Sequence, residues 1–198
     1  MDKEKLQEKV ATETKKYKSL GVIESSKGFV HNGFYSVLNS YKNKDIHEAN
    51  ITDLLGSIIT TKKPAYFREQ YVLNDFLHGW CDIFAECLHK TYNYPIYRIN
   101  NEYNEKILTH AYCKTKKANE TLYIDIRGIT NNFHEFIEEF EDFCSEEYAR
   151  ENEYLWMENI KESMDEEEYE DIKEACMEVL ENYKEFYDIR QLERIHHG

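Results

Sequence analysis

No run of apolar residues in this chain is long enough to span a bilayer, so a membrane role is excluded from the expectations. The opening stretch MDKEKLQEKVATETKKYK also lacks the apolar core of a signal peptide, and a cytoplasmic protein is expected. The five cysteines show no CxxC pair and no regular spacing, which leaves neither a disulfide framework nor a cysteine metal site to argue for. Internal repeats and low-complexity linkers are also lacking. Basic residues are few, 25 against 39 acidic ones, for a net charge of -14. That balance argues against direct nucleic-acid binding, which needs Lys and Arg to neutralise phosphates. The deficit is local: 23 of the acidic residues lie from Glu135 onward, where only six are Lys or Arg, and the part before is slightly basic.

What is present is one domain's length of chain, 198 residues, with an aromatic-rich apolar share of 41%. Residues 2–19 read as an exposed helix. Phe34, Val37, Leu38 and Tyr41 repeat at helical spacing, so a helix is expected over about Asn32 to Tyr41. Asn50-Ile51-Thr52-Asp53 can cap another, which Pro64 ends. An irregular approach with about one helical turn near Leu73–Phe76 leads to Gly79-Trp80-Cys81-Asp82-Ile83-Phe84-Ala85. There a glycine turn delivers a cysteine to the first turn of a buried helix, with Phe84, Ala85 and Leu88 on the same face. After Asn93 the period changes to two, predicting strands at Pro95–Ile99, Ile107–Lys114 and Thr121–Arg127. Helical spacing returns with the stripe Phe133, Phe136, Ile137, Phe140 and Phe143. Tyr154, Leu155 and Ile160 predict a short helix. A long acidic helix is expected over Asp165–Arg190, with Ile172, Cys176, Val179, Leu180, Tyr183 and Phe186 on its buried side.

The strand pair carries the chemistry. Closing Ile107–Lys114 and Thr121–Arg127 into a hairpin over Lys116–Asn119 sets Cys113 against Leu122, Ala111 against Ile124 and Thr109 against Ile126, an almost wholly apolar face. The other face then sets Tyr112 against Tyr123 and His110 directly against Asp125. A carboxylate there can fix the imidazole's tautomer and stabilise its cation. The bland alternative is an aspartate on a solvent face. An aspartate between Ile124 and Ile126 goes against strand propensity, which is where function is expected.

The thiols sort by the same placement. Cys113 falls on the core face, Cys87 lies well along the helix, and Cys144 and Cys176 fall among acidic residues that raise a thiol's pKa. Cys81 alone heads a helix behind a glycine turn, where the dipole and a histidine cation would favour the thiolate and its backbone N–H could face an oxyanion. A lone cysteine of this kind reads as a small buried residue; the His110–Asp125 match turns the balance.

The segments GWCDIFAECLHKTYNYPIYRI, THAYCK and LYIDIRG resemble the papain-like group that includes the NlpC/P60 and transglutaminase-like families. The resemblance covers about Gly79 to Gly128. It implies an α+β fold of helices on a small antiparallel β-sheet, with Cys81 as nucleophile, His110 as general base and acid, and Asp125 orienting His110. That pattern also wants a side-chain oxyanion donor ahead of the cysteine, for which Gln70 and Asn74 are the candidates. Trp80 is a candidate groove wall or packing residue, and Arg127 a candidate substrate anchor or salt-bridge partner. His78 could reach Cys81 in place of His110, and His89 could not easily do so.

The expected organisation is a Cys-His-Asp core over 1–131 and an acidic helical extension over 132–198 packed on the same domain. The expected activity is a thiol hydrolase or acyl transferase acting on an amide bond of a protein or peptide, with no cofactor. A zinc site from the same three residues gains no support from their spacing. The alternative is a non-catalytic protein whose acidic C-terminal helices capture a basic protein partner.

Overall fold

The period-two segments between Pro95 and Arg127 need a sheet to bury their apolar sides, and the later helical stripes supply its cover. In the computed structural model, the residues described are 23–24, 30–35, 38, 71–156 and 165–192. The expected helices over 2–19 and after Asn50 lie outside them, as does half of the one expected over Asn32 to Tyr41. Of that helix, Asn32 instead belongs to a strand, while Phe34, Tyr35 and Leu38 are helical.

The strands are β1 (Ile23–Glu24), β2 (Val30–Asn32), β3 (Ile96–Asn101), β4 (Asn104–Lys117), β5 (Glu120–Asp125), β6 (Gly128–Thr130) and β7 (Tyr154–Leu155). They form one seven-stranded sheet in the order β1-β2-β6-β5-β4-β3-β7, every pairing antiparallel. The helices are α1 (Leu73–His78), α2 (Cys81–Tyr92), α3 (Phe133–Ile137), α4 (Glu146–Asn152) and α5 (Glu166–Asn182), with a 3-10 turn at Glu138–Phe140 after α3. The fold is thus α+β on an antiparallel sheet. No described helix is long and apolar enough to cross a membrane.

Each α2 residue that buries does so by its spacing. Cys81, Phe84, Ala85 and Leu88 face inward, and the helix closes at Asn93, which takes the left-handed conformation that asparagine tolerates. Helix α5 opens on Asp165, whose side chain accepts from the Glu167 and Glu168 amides. It buries Ile172, Cys176, Val179 and Leu180, and it ends at Asn182, earlier than expected; 3-10 turns follow, with Phe186 buried and Tyr183 only partly so. These residues share one core with Phe84, Leu88, Ile124 and Phe136.

Three local expectations give way. The hairpin turns at Ala118–Asn119, with Ala118 at positive φ and Lys117 paired with Glu120. The turn therefore sits one residue later than expected, and the register moves by two: Cys113 faces Ile124 and Thr115 faces Leu122. His110 is consequently not directly opposite Asp125. A shift of two keeps every side chain on its own face, so the two remain diagonal neighbours. Tyr154 and Leu155 are the edge strand β7 rather than a helix; the short helix is α4, just before them. Phe143 leaves the apolar stripe and is 45% exposed.

Candidate active site

The site forms where β5 parts from β4. Their pairing begins at Cys113–Ile124, so β4 residues before Cys113 have β3 on one side and no β5 partner on the other. The β3–β4 pairing is irregular between Ile99–His110 and Asn100–Leu108, a bulge immediately before His110. Into the gap comes the first residue of α2. The Ala111 amide donates to Cys81 Sγ at 3.4 Å, so the sulfur lies against the backbone of the residue that follows His110.

On the other side, β5 turns through Ile126–Arg127 into β6. The Arg127 carbonyl accepts from the Tyr35 amide at 2.8 Å, and the Ile126 carbonyl accepts from Tyr187 Oη at 2.8 Å. Gly128, at φ +111°, lets the turn close: a Cβ there would stand 2.1 Å from the Asn32 carbonyl oxygen.

The three expected residues are all buried, Cys81 at 5%, His110 at 0% and Asp125 at 2% exposure. Asp125 is therefore not on a solvent face; Phe136 of α3 and Phe140 of the turn after it lie against its partners His110 and Arg127. His110 Nε2 lies 3.2 Å from Asp125 Oδ2. Its ring stacks on Phe140 with centroids 4.3 Å apart, and Tyr112 and Phe136 flank it. Among the described residues His110 Nδ1 is buried with no hydrogen-bond partner. An ionised carboxylate can only accept, so it places the imidazole proton on Nε2 and leaves Nδ1 as the basic nitrogen. No hydrogen bond joins Cys81 to His110 among the described residues.

Arg127 changes the electrostatics. Its Nε donates to Asp125 Oδ2 at 3.0 Å and Oδ1 at 3.2 Å, its Nη2 to Oδ2 at 2.6 Å, and its backbone N–H to Oδ1 at 2.8 Å. Nη2 also donates to the Phe136 carbonyl at 2.9 Å. The guanidinium is thus taken up as a salt-bridge partner and is not presented as a substrate anchor. Tyr35 Oη adds a longer contact to Asp125 Oδ2, at 3.5 Å. Burial alone would raise the Asp125 pKa, but Arg127 and His110 together hold the carboxyl far below the usual range. Burial lowers the His110 pKa despite the pull of Asp125, with Arg127 and His78 pushing the same way as burial.

Cys81 departs from the expectation of a favoured thiolate. Burial pushes its thiol up to about 12, and Asp82 adds to the rise. The amides of Ala111, Asp82 and Cys81 itself oppose it without overcoming it. The helix-start dipole is weaker than desolvation here, and Asp82, whose Oδ1 accepts from the Ile83 amide at 2.8 Å, brings negative charge beside the sulfur. The remaining cysteines are also buried and reduced. Cys113 Sγ donates to the Ala85 carbonyl at 3.4 Å on the core face. Burial raises Cys144 to about 11 and raises Cys176, with Cys87 adding to the rise.

Of the other expected contributors, Asn74, Trp80, His78 and His89 are among the described residues. Gln70 lies outside the described residues. Asn74 is exposed on α1. Trp80 stacks edge-on against Tyr71 at 5.2 Å and against Phe76 at 6.2 Å. His78 Nε2 lies 3.7 Å from Glu139 Oε1, and His89 Nδ1 lies 2.7 Å from the Tyr94 carbonyl. The residues that sequence reasoning missed are Tyr35 and Phe140 as neighbours of the Asp125–His110 pair. The Phe133–Phe140 stripe signalled a buried face; nothing in it signalled that histidine would be what it covers.

No family model matches this chain, and no curated protein or solved structure matches it either.

Proposed function

We propose that this protein is a cysteine-dependent hydrolase or acyl transferase acting on an amide bond of a protein or peptide, with a papain-like arrangement of Cys81, His110 and Asp125. One observation carries the reading: His110 offers a buried Nδ1 that is unpartnered among the described residues while Asp125 holds its Nε2, and the Cys81 sulfur lies against the very next backbone amide. A histidine buried only for packing would be expected to satisfy both ring nitrogens. In the reaction, Cys81 Sγ bonds to the carbonyl carbon as its proton passes to His110 Nδ1. The C–N bond then breaks, and His110 returns that proton to the leaving amine. Water or a second amine, deprotonated by His110, releases the acyl group from sulfur. The Cys81 backbone N–H at the start of α2 is the candidate oxyanion donor.

A neutral thiol beside a neutral imidazole fits a mechanism in which proton transfer accompanies attack. The test is acylation of Cys81 by a thiol-reactive acyl probe. Cys81→Ala and His110→Ala should each abolish it while the fold, followed by circular dichroism, persists.

The enclosure of the three side chains and the raised thiol also favour a second reading. In it the core is a scaffold, and the exposed acids Asp165, Glu166 and Glu167 at the start of α5 meet a basic partner. Charge reversal across Glu166–Glu168 would then weaken a salt-sensitive association that Cys81→Ala leaves intact.

A further inference from the structure

Burial disfavours a charged imidazole, while a buried carboxylate beside it favours one. A third member acts with burial here. The Arg127 guanidinium spans both oxygens of Asp125 and lies 4.7 Å from the ring centre of Tyr35, 5.2 Å from that of Phe136 and 5.5 Å from that of Phe140. The fork is enclosed in aromatic surface, where charge is poorly screened. One carboxylate faces one guanidinium, so the pair is already neutral. A proton added to His110 would place a second cation beside Arg127, and Asp125, already spanned by the guanidinium, is the one carboxylate hydrogen-bonded to the ring among the described residues.

We propose that Arg127 is a positioning residue for this site: by gripping both oxygens of Asp125 it fixes the carboxylate against His110 Nε2 and cancels its charge, so that His110 rests as an uncharged base toward Cys81 rather than as half of a thiolate–imidazolium pair. This rests on the reading of Cys81 as nucleophile and His110 as base. The groups that face His110 support it. Asp125 is bonded to it, Arg127 stands behind Asp125, and His78 acts from α1. The rest of its surroundings are the rings of Tyr112, Phe136 and Phe140. Tyr35 reaches Asp125, and Glu139 acts on Arg127. Of these anions, Asp125 is the one bonded to the His110 ring, and Glu139 Oε1 lies 3.7 Å from His78 Nε2.

The experiment uses the full chain. Imidazole resonances of His110 are followed by NMR across pH, and thiolate absorbance and iodoacetamide alkylation of Cys81 are followed over the same range. In the wild type, His110 should be uncharged at pH 7, and alkylation of Cys81 should rise only in the alkaline range. Arg127→Met should move the proton uptake of the Asp125–His110 pair up by about one pH unit or more, with a change of about tenfold in Cys81 alkylation at pH 7. Arg127→Lys, which keeps the charge but loses the fork, should show a smaller shift. A residue that served only packing would leave these midpoints in place.

The proposal is overturned by an imidazolium at His110 with a Cys81 thiolate in the wild type at pH 7, a measurement that needs no variant to fold. An unmoved midpoint in folded Arg127→Met or Arg127→Lys overturns it equally. Cys81 acylation that survives His110→Ala, alongside the expected titration shifts, would remove the catalytic reading and leave Arg127's control of the charge in place.

Discussion

At the residue scale the controlling feature is the buried Asp125–Arg127 ion pair against which His110 is held. Asp125 accepts from Arg127 through two side-chain nitrogens and a backbone amide, and from His110. Breaking a buried ion pair leaves its partner uncompensated. Asp125→Asn should therefore cost about 3–5 kcal/mol in urea unfolding. A loss below about 1 kcal/mol, the worth of an exposed pair, would mean that solvent reaches Arg127. Acid stability follows from the same groups. The His110 pKa is lowered in the fold, so the unfolded chain takes the proton more readily and stability falls as the pH drops below about 6.5. The Asp125 pKa is depressed, so its contribution is intact above about pH 4 and is lost on further acidification. Urea midpoints measured from pH 3 to 8 should decline in those two stages, and His110→Ala should remove the first. The His110–Asp125 contact was legible in the sequence because face alternation survives any even shift of register, and the place of Cys81 at the head of α2 followed from helical spacing. The thiol's protonation state was not legible, since it depends on how completely the α2 start is enclosed.

At the element scale the two-residue turn and the glycine after β5 decide the geometry. Ala118 at positive φ closes the hairpin one residue later than its polar flanks indicated, which makes His110 and Asp125 diagonal partners. Strand β6 and edge strand β7 have three and two residues, too few to show a period, and for that reason Tyr154–Leu155 read as helix. Gly128 has no such ambiguity once the sheet is formed. Gly128→Ala would place its Cβ 2.1 Å from a backbone oxygen of β2 at a φ that L-residues rarely adopt. It should destabilise by about 3 kcal/mol or more in urea unfolding, through strain and overpacking together. A near-neutral result would show that the β5–β6 turn relaxes away from β2.

At the scale of the whole molecule, the acidic C-terminal part is continuous with the core. Ile172, Cys176 and Val179 from α5 are buried in the same cluster as Phe84 and Leu88 from α2. Net charge therefore changes along the chain without a matching boundary in packing, and composition alone marks 132–198 as an extension because it reads surface rather than core. Ile172→Ala should cost about 2–5 kcal/mol. It should shift far-ultraviolet circular dichroism and tryptophan fluorescence to one shared, lower midpoint. Two separated transitions would contradict a shared core.

If Cys81 is a nucleophile whose base is His110, its acylation depends on that histidine. The most direct measurement is the rate of acylation of Cys81 by a thiol-reactive acyl probe, located by peptide mass mapping, in the wild type and in His110→Ala. Acylation should fall on the Cys81 peptide and should drop by about two orders of magnitude or more without His110. Acylation of Cys81 at an unchanged rate in folded His110→Ala, or confined to other cysteines in the wild type, would contradict it.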